Sequence, residues 1–433
     1  MYTRRFTVWC LAAAALVAGL NVSSPRTHVH FYDGRFFSVA ACMFVEGESP
    51  YDLERFRARL RDIAERHPDS GAELHAEIDS YAYPPASLIV FAPLGLLDYT
   101  VARQLFTLLN VLLMPVAAWL IVESFGAANA ARQGALAIAA MVVGLLHYSF
   151  PVTVLIGQTD IVVLVALAGT LLALQRRSVV VAAACAAVAM IKPQMTVLPI
   201  LALIMRERAW REGVILLGAV ALANLLAVLF IYHPGLPREM LDALIYNRRH
   251  PFNQPAVGYG GLFLGARSSA FAAANLLLIP AGMIAVLLAA WKRDRYPQHT
   301  ALVAAILLTL YAMPLHHYDF VLLLAALLGC LTINARLAAL LIVLAIGIDR
   351  ESVTQALLSR LPGAPWLTHQ TLHAVYALIA FVAVQGYVFL RYSQAPPSAA
   401  GSATATPADV VRTGNPCAAQ RSATARGSGQ VSE

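Results

Sequence analysis

Charge is what this chain has least of. Only 13% of its 433 residues are Asp, Glu, Lys or Arg, 59% are apolar, and the mean hydropathy is +0.66. A water-soluble domain is nearer a quarter charged, so a soluble globular fold is excluded. Cysteine is scarce too. Of five, Cys10, Cys185 and Cys330 lie in apolar blocks, Cys42 in a polar loop and Cys417 near the end. No pair of them suggests a disulfide or a metal cluster. No internal repeat is visible, which argues against the inverted halves of many carriers. The formal net charge of +7 is no argument for nucleic acid, because the arginines sit mostly at the ends of apolar runs, where they read as orientation signals.

What is present is a series of apolar blocks. They lie near residues 6–22, 101–122, 133–150, 160–175, 178–191, 194–205, 213–231, 269–291, 300–315, 319–333, 336–348 and 371–390. This pattern predicts an all-α polytopic membrane protein of about 12 transmembrane helices, several shorter than the roughly 20 residues a full crossing prefers. The first block follows Arg4-Arg5, and no small-residue cleavage site comes after it, so it reads as an uncleaved span. Residues 1–392 form the membrane unit. Residues 393–433, rich in Pro, Ser, Ala, Thr and Gly, read as a disordered cytoplasmic tail.

The arginines set the topology. If Arg4-Arg5, Arg132, Arg176-Arg177, Arg206 to Arg211, Lys292 to Arg295, Arg336 and Arg391 all stay inside, an even number of crossings separates each from the next. Residues 84–97 then cannot cross. The run from Ala86 to Leu97 is also too short, at about 18 Å of helix against roughly 30 Å of hydrocarbon, and Pro93 interrupts it. It is expected to be a juxtamembrane or re-entrant helix inside a large outer loop, residues 23–100. The block 178–205 must be a hairpin, broken at Lys192-Pro193. Both termini are placed in the cytoplasm.

This topology gathers polar residues on the outer face. They are Asp33 with His28 and His30, Tyr51, Tyr83, Gln158, Asp160, Lys192, Arg248 and Arg249 in a second outer loop (232–268), and His316-His317 with Asp319. Chemistry, if present, faces outward. A carboxylate held near an apolar surface, as Asp33 is, can have its pKa raised and act as a base; the plain alternative is a solvated loop aspartate. Lys192, alone in an apolar hairpin, needs an anionic partner. A phosphate would serve, and so would snorkelling to an interface. His316 and His317 could bind phosphate or metal, though histidines at a span end are more often interfacial polar residues. Gln158 and Asp160 could hold a sugar hydroxyl, or Asp160 could cap the helix that starts at Ile161. Residues 55–66 read as a charged helix whose Phe56, Leu60 and Ile63 form one apolar stripe.

Taken in order, Asp33, Gly47-x-x-Pro50-Tyr51, Tyr83-Pro84-Pro85, Gly157-Gln158 and Lys192-Pro193 resemble glycosyltransferase family 87 over about residues 6–390. This is the polyprenyl-phosphate-mannose-dependent, mannosyltransferase-like branch of the glycosyltransferase-C superfamily. The resemblance implies a GT-C fold with a large first extracytoplasmic loop that contains juxtamembrane helices. It implies an inverting enzyme of the plasma membrane that moves a sugar, mannose or a related hexose or pentose, from a polyprenyl monophosphate donor to a glycolipid or glycan acceptor. Asp33 matches the catalytic base. Lys192, with Arg248, Arg249, His316 or His317, would stabilise the leaving phosphate; Tyr51, Tyr83, Gln158 and Asp160 would meet substrate. No cofactor is required, and a metal is not favoured. The charged stretch 52–79 and the Thr27-His-Val-His30 approach to Asp33 lie outside the family pattern. The competing classes are a polyprenyl-lipid flippase and a non-catalytic lipid-binding protein.

Overall fold

The computed structural model describes residues 31–67, 80–125, 147, 149–249, 269–292, 295–297, 299–313, 315–348 and 369–392. The first apolar block, His28 and His30, most of the third block, residues 250–268 of the second outer loop and the tail lie outside them. Every regular element among the described residues is a helix. This is the architecture of an all-helical membrane protein.

Three described helices are long and apolar enough to cross a bilayer. They are α4 (Tyr99–Ser124), α9 (Trp210–Phe230) and Leu372–Tyr392 within α15 (His369–Tyr392). A fourth candidate is a bent pair, α5 (Ser149–Ile156) and α6 (Asp160–Gln175), which meet at 116°. Six further described segments of 10–17 residues are apolar, α14 (Ala335–Ile348) among them. The core helix is α12 (Thr300–Ala312), buried along its whole length. It packs on α15, on α8 (Pro193–Glu207), on α11 (Ser269–Trp291) and on α13 (Leu323–Ile333). A helix that is apolar all round belongs in such a place. The opposite case is α9. It too is apolar, yet among the described residues only Leu216 and Ala227 of it are buried, a surface suited to lipid.

The charged stretch forms α2 (Leu53–Arg66), capped by Asp52, which accepts from the Glu54 and Arg55 amides at 3.1 Å each. Phe56, Leu60 and Ile63 are its buried stripe, as the spacing predicts. Residues 86–95 form α3 (Ala86–Gly95), ten residues with Pro93 inside. At about 15 Å it is too short to span a bilayer, as its length in the sequence predicts. Instead it lies along α1 (Tyr32–Val45). Gly95 makes the close approach possible, since a Cβ there would overlap the Ala41 backbone. Its first amide, Ala86 N–H, donates to Asn224 Oδ1 of α9 at 3.1 Å.

The block 178–205 divides as expected into α7 (Val179–Ala189) and α8, with Lys192 at the break and Pro193 opening α8. Proline is favoured at that first position, where no amide partner is needed. The arginines gather at the other end of these helices. Arg176 pairs with Glu123 at 2.9 Å and Arg177 approaches Glu212 at 3.8 Å. The sixteen residues of α6, about 24 Å of helix, separate that end from Asp160. One element was not anticipated. Helix α5 covers the end of the 133–150 block and most of the gap before residue 160, and eight residues with a proline third (Pro151) give no periodic signal.

Candidate active site

The site lies where α1, α6 and α8 begin. Asp33 stands in the first turn of α1, where the helix dipole favours a negative charge. Gln158 Nε2 donates to its Oδ2 at 2.7 Å. Burial pushes the Asp33 carboxyl above its ordinary pKa. The Gln158 amide opposes this most, followed by the nearby Lys192, His316 and Arg35.

Lys192 is 2% exposed. Its ammonium lies 2.7 Å from Asp160 Oδ1 and 3.0 Å from Asp319 Oδ1, and 6.0 Å from the centre of the Tyr83 ring. The sequence reading gave Lys192 a phosphate partner. The structure gives it two of the protein's own carboxylates, and their formal sum with the ammonium is −1. Asp160 does not cap its helix as expected. The cap position is Thr159, with no side-chain cap bond, and the Asp160 carboxylate turns inward to the lysine. Asp319 was seen in the sequence only as a neighbour of the histidines. It closes a 3-10 turn (His317–Leu322) by accepting the His316 amide at 2.6 Å and reaches Lys192 with its other oxygen.

Tyr83 sits between the two groups. Its hydroxyl donates to Gln158 Oε1 over a long 3.4 Å. Tyr51 lies behind it rather than facing a substrate: it is 3% exposed, and its hydroxyl donates to the Tyr83 carbonyl at 2.8 Å. Tyr81 backs this lining by sharing a hydrogen bond with Ser87 at 2.5 Å. Burial raises the pKa of all three phenols, so each serves as a neutral donor. His316 is half-buried at the same end. The side chains of His317, Arg248 and Arg249 lie outside the described residues; the two arginines close α10 (Leu236–Arg249). Among the described residues no three His, Cys, Asp or Glu side chains are grouped to hold a metal.

The bend that presents Gln158 depends on Gly157. Its φ is +72°, and a Cβ there would overlap the buried Phe31 ring. Phe31 in turn leads into Asp33 and meets Phe106 edge-on at 6.1 Å. We therefore expect Gly157→Ala to cost about 1–2 kcal/mol from the left-handed backbone alone. It should also displace Phe31, so that turnover falls by more than thermal stability would suggest. Parallel unfolding and transfer assays on the purified variant measure both.

These features define a class: an all-helical membrane protein with a largely buried cluster of ionisable side chains at one end of its helices. A model of glycosyltransferase family 87 matches residues 81–315, more than half of the chain. The chain belongs to that family and is a membrane glycosyltransferase. No curated protein matches it. Tyr83, Gln158, Asp160, Lys192, Arg248 and Arg249 fall inside the matched stretch; Asp33, Tyr51, His316, His317 and Asp319 fall outside it.

Proposed function

We propose that this chain moves a sugar, mannose or a related hexose or pentose, from a polyprenyl monophosphate carrier to a hydroxyl of a glycolipid or glycan. The reaction runs at the extracytoplasmic face of the plasma membrane. The proposal includes a GT-C fold of about 12 crossings over residues 1–392, with both termini and the 393–433 tail in the cytoplasm. The observation that carries it is Asp33: a half-buried carboxylate with one oxygen held by Gln158 at 2.7 Å, beside the buried cluster of Lys192, Asp160 and Asp319.

In the proposed step the acceptor O–H gives its proton to Asp33 as the oxygen attacks the anomeric carbon. The bond from that carbon to the phosphate oxygen breaks, and polyprenyl phosphate leaves with the electron pair. A single displacement inverts the centre. Because phosphate needs no proton to leave, one carboxylate suffices, where a glycoside hydrolase needs two. His316, His317, Arg248 and Arg249 are the groups we assign to the leaving phosphate. Lys192 offsets two carboxylates that would otherwise repel it. No metal or organic cofactor enters the scheme.

The test uses protein purified into lipid nanodiscs, radiolabelled polyprenyl-phospho-mannose and a membrane lipid extract as acceptor. We expect one polyprenyl phosphate released per sugar transferred, a product of opposite anomeric configuration, and no use of nucleotide sugars. Direct use of a nucleotide sugar would refute the carrier assignment. Retention would refute the single displacement. Passage of intact donor between leaflets, with no bond cleaved, would make the chain a flippase.

A further inference from the structure

We propose that Gln158 is a positioning residue for Asp33. Its side-chain amide holds one carboxylate oxygen so that the other is presented to the acceptor hydroxyl. The inference rests on the reading of Asp33 as the base.

The geometry leaves the amide one orientation. Gln158 Oε1 accepts from the Thr159 backbone N–H at 3.2 Å and from the Tyr83 hydroxyl at 3.4 Å. Turning the amide over would set an N–H against the Thr159 N–H and a carbonyl against the Asp33 carboxylate, two repulsive pairs. The Nε2 donor is therefore fixed on Asp33 Oδ2. The backbone is anchored as firmly: the Gln158 carbonyl accepts from Asn110 Nδ2 of α4 at 3.1 Å, and its N–H donates to the Thr153 carbonyl of α5 at 2.9 Å. At 2% exposure Gln158 offers almost no surface to a sugar. Asp33 Oδ1 takes no hydrogen bond among the described residues, and this is the oxygen placed to receive the proton.

The clamp also has an electrostatic effect. An N–H aimed at a carboxylate favours the ionised form, and here it offsets the burial of Asp33. The other ionisable groups acting on Asp33 are Lys192 from the break before α8, His316 from the residue before the 3-10 turn and Arg35 from its own helix. None of them is changed by a substitution at position 158.

Gln158→Leu and Gln158→Glu test the proposal on the intact protein in nanodiscs. For Gln158→Leu we expect kcat with radiolabelled polyprenyl-phospho-mannose to fall about 10- to 100-fold, the range for a hydrogen bond to a charged group. The KM for the donor should hold within about twofold, and the acidic limb of the pH profile should move up by about one unit. Gln158→Glu sets a second carboxylate against the first and should move that limb further. Infrared difference spectra, with Asp33→Asn as the reference, read the Asp33 carboxyl proton directly and should show the same upward shift. This measurement needs no turnover, so it decides the clamp even if the wild-type protein ignores the donor offered. An unmoved Asp33 titration in both variants would overturn the proposal. So would a raised KM with kcat intact, which would make Gln158 a substrate ligand.

Discussion

Lys192→Met is expected to destabilise the protein by about 3–5 kcal/mol, the range for removing one partner of a buried ion pair. The ammonium touches Asp160 and Asp319 at 2.7 and 3.0 Å, and all three side chains are at most 3% exposed. Without it two carboxylates face each other with no counter-charge, in a place water does not reach. Removing a carboxylate should cost less. Asp160→Asn or Asp319→Asn leaves one ammonium with one carboxylate, a formal sum of zero instead of −1. The triple variant Lys192→Met, Asp160→Asn, Asp319→Asn should recover much of the loss, because no uncompensated charge remains. Thermal unfolding of the purified variants measures this order. It also separates two roles for the lysine. A phosphate ligand open to substrate would leave stability nearly unchanged on substitution and raise the KM for the donor. A cation locked between two helices and a 3-10 turn gives the opposite pattern.

That lysine marks the boundary of what could be read from the sequence. The helices themselves were legible, since apolar blocks and the arginines between them follow from the cost of placing charge in hydrocarbon. The break at Lys192-Pro193 was legible because proline cannot continue a helix. The short α3 followed from its length, and α2 from the spacing of Phe56, Leu60 and Ile63. The partners of Lys192 were not legible. Asp160 and Asp319 lie 32 and 127 positions from it, and no local pattern links positions so far apart. One general rule would have found them: lone charges of opposite sign in separate apolar blocks must meet. The surroundings of Tyr51 were hidden for a related reason. A tyrosine in a polar loop looks available to substrate, and only packing shows its hydroxyl spent on the Tyr83 carbonyl. Gln158 was noticed in the sequence, but a glutamine that binds a sugar and one that orients a carboxylate are identical there.

Asp33→Asn is expected to lower kcat by about 10²- to 10⁴-fold, the usual worth of a positioned general base. The carboxamide keeps the size and still meets Gln158, but it cannot take the acceptor proton. Donor binding, read as thermal stabilisation by polyprenyl-phospho-mannose, should persist, because Asp33 acts on the acceptor rather than on the phosphate. The wild-type pH profile should carry an acidic limb. The base works only when ionised, and its pKa is raised by burial, so activity is present above that raised value and lost as pH falls through it. The midpoint should therefore lie above the roughly 3.9 of an unperturbed aspartate, and the residual rate of Asp33→Asn should lack the limb. Asp33→Glu restores a base but moves its oxygens by a methylene away from the fixed Gln158 amide. It should recover only part of the rate. Because Asp33 precedes the matched stretch, which begins at residue 81, the result also decides whether the segment before that stretch completes the active site. Full turnover in Asp33→Asn would rule out Asp33 and leave the base elsewhere in the site. The remaining half-buried acceptors there, among the described residues, would then have to be tried in its place.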